Sequence, residues 1–224
     1  YGDHRDLHYP LRRQRQMCIR DRPWCHLARV RASSVAQRHD VEITWLPYEL
    51  HPEIPSGGTP NGREFSSLIP IAEELNLVLR APKVFRPTRR AHQAALAVEY
   101  ASPDEADLFH DRLYAAVWIH EQDIEDPALL ESLAEDLDVP PGLIERIVSH
   151  DELLPALASS MERAHAWGAT GTPSWVIDNK LMVPGLQDDN FFDRVLTRLS
   201  EVRLKNGSSG QLLPLYWSER AKSV

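Results

Sequence analysis

The chain has 224 residues, 33 acidic and 25 basic, and 42% are hydrophobic, which is typical of one globular domain with room for an insertion. A formal charge of -8 argues against a nucleic-acid surface, and no apolar run approaches the roughly 18 to 20 residues of a membrane span. Two cysteines exclude a disulfide scaffold and a four-thiolate zinc site.

The first 22 residues differ from the rest of the chain. They contain six arginines and have neither apolar periodicity nor capping and turn signals. In one reading frame, residues 2–8 and 12–21 resemble translated sequencing adapters. We therefore interpret residues 1–22 as an artefactual, non-native leader rather than a genuine Arg-rich segment, and we leave them out of the fold prediction. On this interpretation the natural N-terminus is missing, and Cys25 is the only natural cysteine.

The regular pattern begins at Pro23. This residue suits the first turn of a helix that reaches His39, because a first-turn residue needs no N–H partner. Val41–Leu46 alternates and is rich in β-branched residues, which predicts a strand, and residues 57–62 have loop composition. Beyond them β signals are few and helix-start residues recur. The predicted helices are Phe65–Leu79, Thr88–Tyr100, Pro103–Glu121, Pro127–Leu137, Pro141–His150 and Glu152–Trp167.

The last predicted elements are a hairpin and a helix. Residues 174–177 and 180–183 flank Asp178-Asn179, a two-residue hairpin signal. Asp188–Leu204 is predicted to be an amphipathic helix. Residues 205–224 follow as a C-terminal tail.

Three local motifs resemble the DsbA-like branch of the thioredoxin superfamily, especially its FrnE-type members. Residues 23–27 resemble the end of the family's C-P-W-C helix start, and residues 168–176 its G-x-x-G-[VT]-P-x-F-V segment. Residues 123–134 resemble its D-I-x-D-x-x-x-L-x-x-x-A run. The resemblance implies an α/β, thioredoxin-like fold for residues 23–204, with a large helical insertion at about 65–167 and the first strand missing. Without that strand we expect the chain to be unstable or to adopt a makeshift pairing, because neighbouring strands keep unpaired groups.

The chemistry implied by the resemblance is thiol–disulfide exchange. In a Cys-x-x-Cys turn the helix N-terminus favours the attacking thiolate, and a second thiol one turn deeper resolves the mixed disulfide. The resolving position corresponds to Cys25 and the attacking position to residue 22, which is Arg. In the reading frame of the adapter, only the third base of codon 22 comes from the natural gene, and Arg requires that base to be A or G. Cysteine codons end in T or C, so the natural residue was not Cys unless the junction carries a base error, whereas Ser remains open. Ser-Pro at this helix start resembles the related 2-hydroxychromene-2-carboxylate isomerases and kappa-class glutathione transferases, in which a hydroxyl stabilises a glutathione thiolate.

The second candidate site is the Thr172–Pro173 step. The resemblance implies a cis peptide bond beside the helix start, which leaves the backbone of Thr172 able to pair with a substrate chain; the alternative is an ordinary trans turn. Trp24, together with Pro23, is a further candidate substrate-binding residue, or a packing residue. Cys25 is either the resolving thiol or a small buried hydrophobe.

Two further features have open alternatives. His26 either perturbs a nearby thiolate or faces solvent in the first turn. The acidic stretch Glu121–Asp138 is interpreted as an exposed face of the insertion. No metal site is predicted.

We therefore predict a protein disulfide oxidoreductase, inactive while Arg occupies position 22. The alternatives are a glutathione-dependent isomerase or transferase, and a redox-silent member that binds peptides beside Pro173. The predicted partners are thiol- or disulfide-containing proteins or small molecules, with a second copy of the chain as a candidate, and neither nucleic acid nor membrane. No cofactor is predicted, glutathione is a candidate substrate only, and the resemblance implies a cytoplasmic location.

Overall fold

A computed structural model of the chain describes residues 11–18, 23–39 and 41–205. Its strands are β1 (Leu11–Cys18), β2 (Val41–Pro47), β3 (Thr59–Pro60), β4 (Val84–Phe85), β5 (Ser174–Ile177) and β6 (Leu181–Pro184). Its α-helices are α1 (Pro23–His39), α2 (Ile69–Glu74), α3 (Arg89–Ala101), α4 (Ala106–Trp118), α5 (Pro127–Ser132), α6 (Leu143–Ser149), α7 (Leu154–Ala166) and α8 (Asp189–Lys205). Short 3-10 turns at Ser66–Leu68 and Pro103–Glu105 precede α2 and α4.

The main sheet has the strand order β2-β1-β5-β6, with β1 parallel to β2 and antiparallel to β5. The prediction that the first strand is missing is therefore wrong, because residues 11–18 occupy a central position in the sheet. The physical reason is that a ladder requires only main-chain N–H and C=O groups, which any extended segment supplies whatever its side chains. The rest of the predicted leader, residues 1–10 and 19–22, lies outside the described residues.

The predicted insertion contains helices that are shorter than their sequence patterns. The first of them ends at Glu74, and Asn76 then adopts a left-handed φ of 55°. A second helix, α5, covers only the first half of the segment predicted from Pro127 to Leu137. The sequence patterns also missed the two-stranded sheet in which Thr59 pairs with Phe85 and Pro60 with Val84. Two-residue strands have too few residues for a period-2 pattern, so they left no signal.

Two hydrophobic cores lie against the main sheet. Strand β5 separates them by its alternation, since Val176 belongs to the core shared with the insertion whereas Trp175 and Ile177 belong to the core beneath α8. Helix α1 contributes to both, with Cys25 in the first and Ala28 in the second. The helix is therefore packed from two directions, which fixes the position of its first turn.

The remaining predicted elements agree closely with the structure. The first helix has its predicted bounds, β2 extends one residue past its predicted end, and β5 and β6 form the predicted hairpin. The last helix spans Asp189–Lys205, and residues 206–224 of the predicted tail lie outside the described residues. Among the helices that the structure describes, none combines the length and apolar character that crossing a membrane requires.

The central position of β1 can be tested with proline. Gln16 is in register with Trp45 of β2 and Trp175 of β5, so it lies in the part of β1 that is paired with a strand on each side. Gln16→Pro removes an N–H donor from a doubly paired strand, and we expect a loss of about 2 kcal/mol or more in the free energy of unfolding. Urea unfolding would measure it, with Gln16→Val as the matched control because valine keeps the N–H and favours a strand. Equal stability of the two variants would contradict the central position of β1.

Candidate active site

The first turn of α1 carries three of the predicted site residues. Pro23 begins the helix and is buried, and Trp24 is half-buried. Cys25 has no solvent exposure and belongs to the core shared with the insertion. Residue 22, the predicted attacking position, lies outside the described residues. A thiol at Cys25 is thus sheltered from solvent, in the first turn of a helix that follows strand β1 in the chain.

The second predicted motif lies at the start of β5. The Thr172–Pro173 peptide bond is cis, which is the isomer that the family resemblance implies. The carbonyl of Pro173 accepts a hydrogen bond from the N–H of Gly185 at 2.7 Å, which ties this turn to the end of β6. The Oγ1 atom of Thr172 is buried and has no hydrogen-bond partner among the described residues. A polar group is therefore unused beside the point at which a substrate chain is expected.

The pairing register of the main sheet places the two motifs at the same end of strand β1. Met17, near the carboxyl end of β1, is paired with Ser174, which directly follows Pro173. The chain then passes from Cys18 to the start of α1 at Pro23, separated from it by four residues. The helix start and the cis-proline turn therefore both lie at the carboxyl end of β1, although they are far apart in sequence.

A cavity of about 250 Å³ lies beside the helix start. Its floor is aromatic: Phe65 contacts Trp24 edge-on at 5.4 Å between ring centroids and Phe85 at 6.2 Å. The cavity is lined by Pro23, Trp24, His51, Glu53, Ile54, Thr59, Pro60, Gly62, Arg63, Phe65 and Phe85. Thr172 and Pro173 do not line it, so the structure groups Pro23 and Trp24 in one cavity and leaves the cis-proline turn outside it.

Charged groups stand at the rim of this cavity. The imidazole of His51 is 2.8 Å from the carboxylate of Glu53, and a backbone hydrogen bond within Glu53 and the contact with His51 lower the pKa of that carboxyl. The guanidinium of Arg63 is exposed and lies 5.9 Å above the ring of Phe85. The cavity thus combines an aromatic floor with a carboxylate and a cation at its entrance, which suits an amphipathic substrate segment.

His26 is buried, so the alternative in which it faces solvent is wrong. Its ring stacks on that of Tyr114 with centroids 4.9 Å apart and planes 7° from parallel, because α4 of the insertion covers this side of α1. Burial lowers the pKa of His26 to about 4, with Asp111 opposing and Arg29 reinforcing the shift. His26 is therefore neutral at neutral pH and adds no positive charge beside the sulfur of Cys25.

The side of the cavity formed by residues 51–65 was not predicted from the sequence. The loop composition of residues 57–62 was visible, but nothing in the sequence indicated that this loop lies beside Trp24. The interpretation of Glu121–Asp138 as an exposed face was incomplete, because Ile124 and Leu130 of this stretch are buried in the core.

Comparison with protein-family models matches residues 22–197 to the DSBA-like thioredoxin domain. Among curated proteins, the uncharacterized protein YwbO of Bacillus subtilis is 23% identical over 186 residues, which cover 78% of this chain and 90% of YwbO. The family match therefore spans most of the chain, from the helix start to the last helix.

Solved structures of similar fold include a probable DsbA oxidoreductase of Streptomyces coelicolor. It has a TM-score of 0.75 and 20% identity, covering 84% of this chain and 90% of its own. A 2-hydroxychromene-2-carboxylate isomerase has a TM-score of 0.68 and 17% identity, covering 87% of this chain and 98% of its own. At these identities the likeness establishes the fold, which the two proteins share despite their different names.

The buried His26 predicts a specific pH dependence of stability. The unfolded chain binds the His26 proton near its ordinary pKa of 6.5, whereas the folded chain binds it only near 4, so the folded state loses stability as the pH falls through this window. His26→Phe keeps a ring against Tyr114 and removes the proton, and we expect the loss between pH 7 and pH 4 to shrink by about 3 kcal/mol.

Urea unfolding at both pH values would measure this difference. The same substitution at His120, which is exposed, serves as the control and should not reproduce the change expected for His26→Phe. An identical pH dependence in His26→Phe and the unsubstituted chain would contradict the assignment of a buried, neutral imidazole.

Proposed function

This chain belongs to the DSBA-like thioredoxin domain family, and on that premise we propose that it is a thiol–disulfide oxidoreductase whose reaction centre is the first turn of α1. Cys25 is the resolving thiol, and the attacking thiol belongs at position 22, where this chain has Arg. The observation that carries the proposal is the convergence of the α1 start and the cis Thr172–Pro173 turn at the carboxyl end of β1.

The proposed exchange proceeds in two displacements. A thiolate at position 22, favoured by the free N–H groups and dipole of the helix start, attacks one sulfur of a substrate disulfide and releases the other as a thiolate. The thiol of Cys25 then loses its proton and attacks the sulfur at position 22, which forms the 22–25 disulfide and releases the second substrate thiol. The substrate gains two electrons and the enzyme loses them; the reverse sequence oxidises a dithiol.

The turn before β5 would align the substrate. The backbone of Thr172, beside the cis peptide bond, supports binding of an extended chain as an added strand. The cavity beside Trp24 would then receive a side chain that neighbours the substrate cysteine. For this exchange we propose protein or small-molecule disulfides as substrates and, from the FrnE-type resemblance, the cytoplasm as the compartment.

A second function is a glutathione-dependent isomerase or transferase. It is supported by the codon frame, which leaves Ser open at position 22, and by the structural likeness to a 2-hydroxychromene-2-carboxylate isomerase. The guanidinium of Arg63 at the cavity rim suits a glutathione carboxylate. In this alternative Cys25 is a packing residue and a hydroxyl at position 22 holds the thiolate.

Restoring position 22 tests the two functions. We expect this chain to reduce insulin at the background rate and Arg22→Cys to exceed that rate by at least about tenfold, equivalent to about 1.4 kcal/mol of barrier. Adding Cys25→Ala to Arg22→Cys should abolish turnover and trap a mixed disulfide with the substrate, which mass spectrometry would detect.

The matched variant Arg22→Ser separates the alternatives. If Arg22→Cys stays at background while Arg22→Ser binds glutathione in calorimetry, the oxidoreductase is rejected in favour of the glutathione enzyme. If neither variant reacts nor binds glutathione, both functions are rejected and a redox-silent, peptide-binding member remains.

A further inference from the structure

The acidic motif at residues 123–126 reaches out of the insertion to the loop before β3. The carboxylate of Glu125 accepts a hydrogen bond from the N–H of Gly57 at 2.8 Å. The guanidinium of Arg86 donates to the carbonyl of Gly57 at 2.7 Å and forms an ion pair with Asp123 at 3.1 Å. Both main-chain polar groups of Gly57 are thus held by the motif, one directly and one through Arg86.

The motif is itself fixed to two helices. The N–H of Glu125 donates to Oδ1 of Asp123 at 3.0 Å, and the carbonyl of Glu125 accepts from the guanidinium of Arg90, on α3, at 2.8 Å. Asp126 caps α5, because its Oδ1 atom accepts from the N–H of Ala128 at 3.0 Å. Ile124, between the two acidic positions, is buried. The carboxylate of Glu125 is therefore presented from a rigid base.

The loop connects these contacts to strands β3 and β4, which form one side of the cavity beside Trp24 and are called the β3–β4 wall below. Gly57 and Gly58 have φ values of 84° and 81°, and a Cβ atom at Gly58 would stand 2.4 Å from the carbonyl oxygen of Phe85. The loop is thus pressed directly onto β4. The next residue, Thr59, pairs with Phe85, and both line the cavity beside Trp24.

Strand β4 has open space on both faces. The cavity beside Trp24 lies on one side, and a second cavity of about 230 Å³ lies on the other, between β4 and the end of α4. Phe85 lines both, and Ile124 of the acidic motif lines the second. Phe85 packs on Phe65, but the two-residue strands around it border empty volume, so the position of this wall also depends on its polar contacts. Asn61 supplies two of them, to the carbonyls of Pro82 and Lys83, and Gly57 supplies the others described above.

We propose that Glu125 and Asp123 are positioning residues that hold the β3–β4 wall through Gly57 and Arg86, and thereby set how bulky a substrate chain can approach the helix start. Loosening these contacts lets the wall shift towards the second cavity and changes the binding of peptide-sized substrates. Small disulfides, which do not fill the cavity, are unaffected. The effect on substrate size rests on the proposed function, whereas the hold on the wall does not.

Hydrogen exchange tests the hold on the wall without any catalytic activity. In Glu125→Ala we expect the amides of residues 57–59 and 84–86 to exchange about tenfold faster, because the direct acceptor of the Gly57 N–H is lost. Glu125→Gln keeps a side-chain oxygen that can accept this bond and should restore most of the protection. Unchanged exchange at residues 57–59 in Glu125→Ala would overturn the proposal.

Glu131 offers a matched control in the same insertion. Its carboxylate also accepts backbone hydrogen bonds, from Gly142 at 2.6 Å and from Glu145 at 3.0 Å, but those residues do not line either cavity. Glu131→Ala should speed exchange near Gly142 only. Equal acceleration at residues 57–59 in this variant would mean general loosening of the insertion and would overturn the specific role of Glu125.

Steady-state kinetics in the Arg22→Cys background test the effect on substrate size. In Glu125→Ala we expect the KM for insulin to change by about threefold or more with kcat retained, while the KM for hydroxyethyl disulfide stays the same. Altered exchange with an unchanged KM for insulin would overturn the selection role. If Arg22→Cys has no activity, the proposed function fails, and the exchange experiment still decides whether the motif holds the wall.

Discussion

The arrangement of the site depends on the docking of α1 onto α4 through a buried guanidinium. Arg29 is only 4% exposed, and its guanidinium contacts Asp111 at 2.7 Å, the carboxylate of Asp107 at 3.0 Å and the ring of Trp45 at 5.0 Å. Burial alone would lower the pKa of Arg29, but Asp111 and Asp107 raise it above its ordinary value. Because a buried charge is costly unless its donors are satisfied, these contacts specify one position of α1 against the insertion.

This docking determines the electrostatics of the helix start. The same face of α4 supplies Tyr114, which stacks on His26 and keeps that imidazole buried and neutral. No cation from His26 then reaches the first turn at neutral pH, so stabilisation of an anion there falls to the helix N–H groups and dipole. In the opposite half of α1, Arg38 and His39 contact Asp193 of α8, and the guanidinium of Arg38 places a cation at the negative end of the helix dipole. The insertion therefore does more than enlarge the domain, since it shapes the charge around the first turn of α1, the proposed reaction centre.

The sequence predicted those features whose signals are local. The first helix, the β5–β6 hairpin and the Thr-Pro turn each carry a short pattern that needs no knowledge of distant neighbours. The strand at residues 11–18 was not predicted because its place depends on ladder groups that β2 and β5 offer, and its own side chains give no alternation. The cavity wall was missed for a related reason: Gly57 and Glu125 are far apart in sequence, and their contact arises from a loop and a helix cap. Contacts of this kind become visible only after the chain is folded.

In the proposed function, reactivity and substrate selection belong to different parts of the structure. Reactivity is assigned to the first turn of α1, which is packed by two cores and positioned by the contacts of Arg29. Selection, as we propose it, resides in the β3–β4 wall, which borders two cavities and is held in part by polar contacts to residues 123–126. Because the first turn of α1 and the β3–β4 wall share few residues, substitutions at residues 123–126 are expected to alter which substrates enter the cavity while the helix start remains intact.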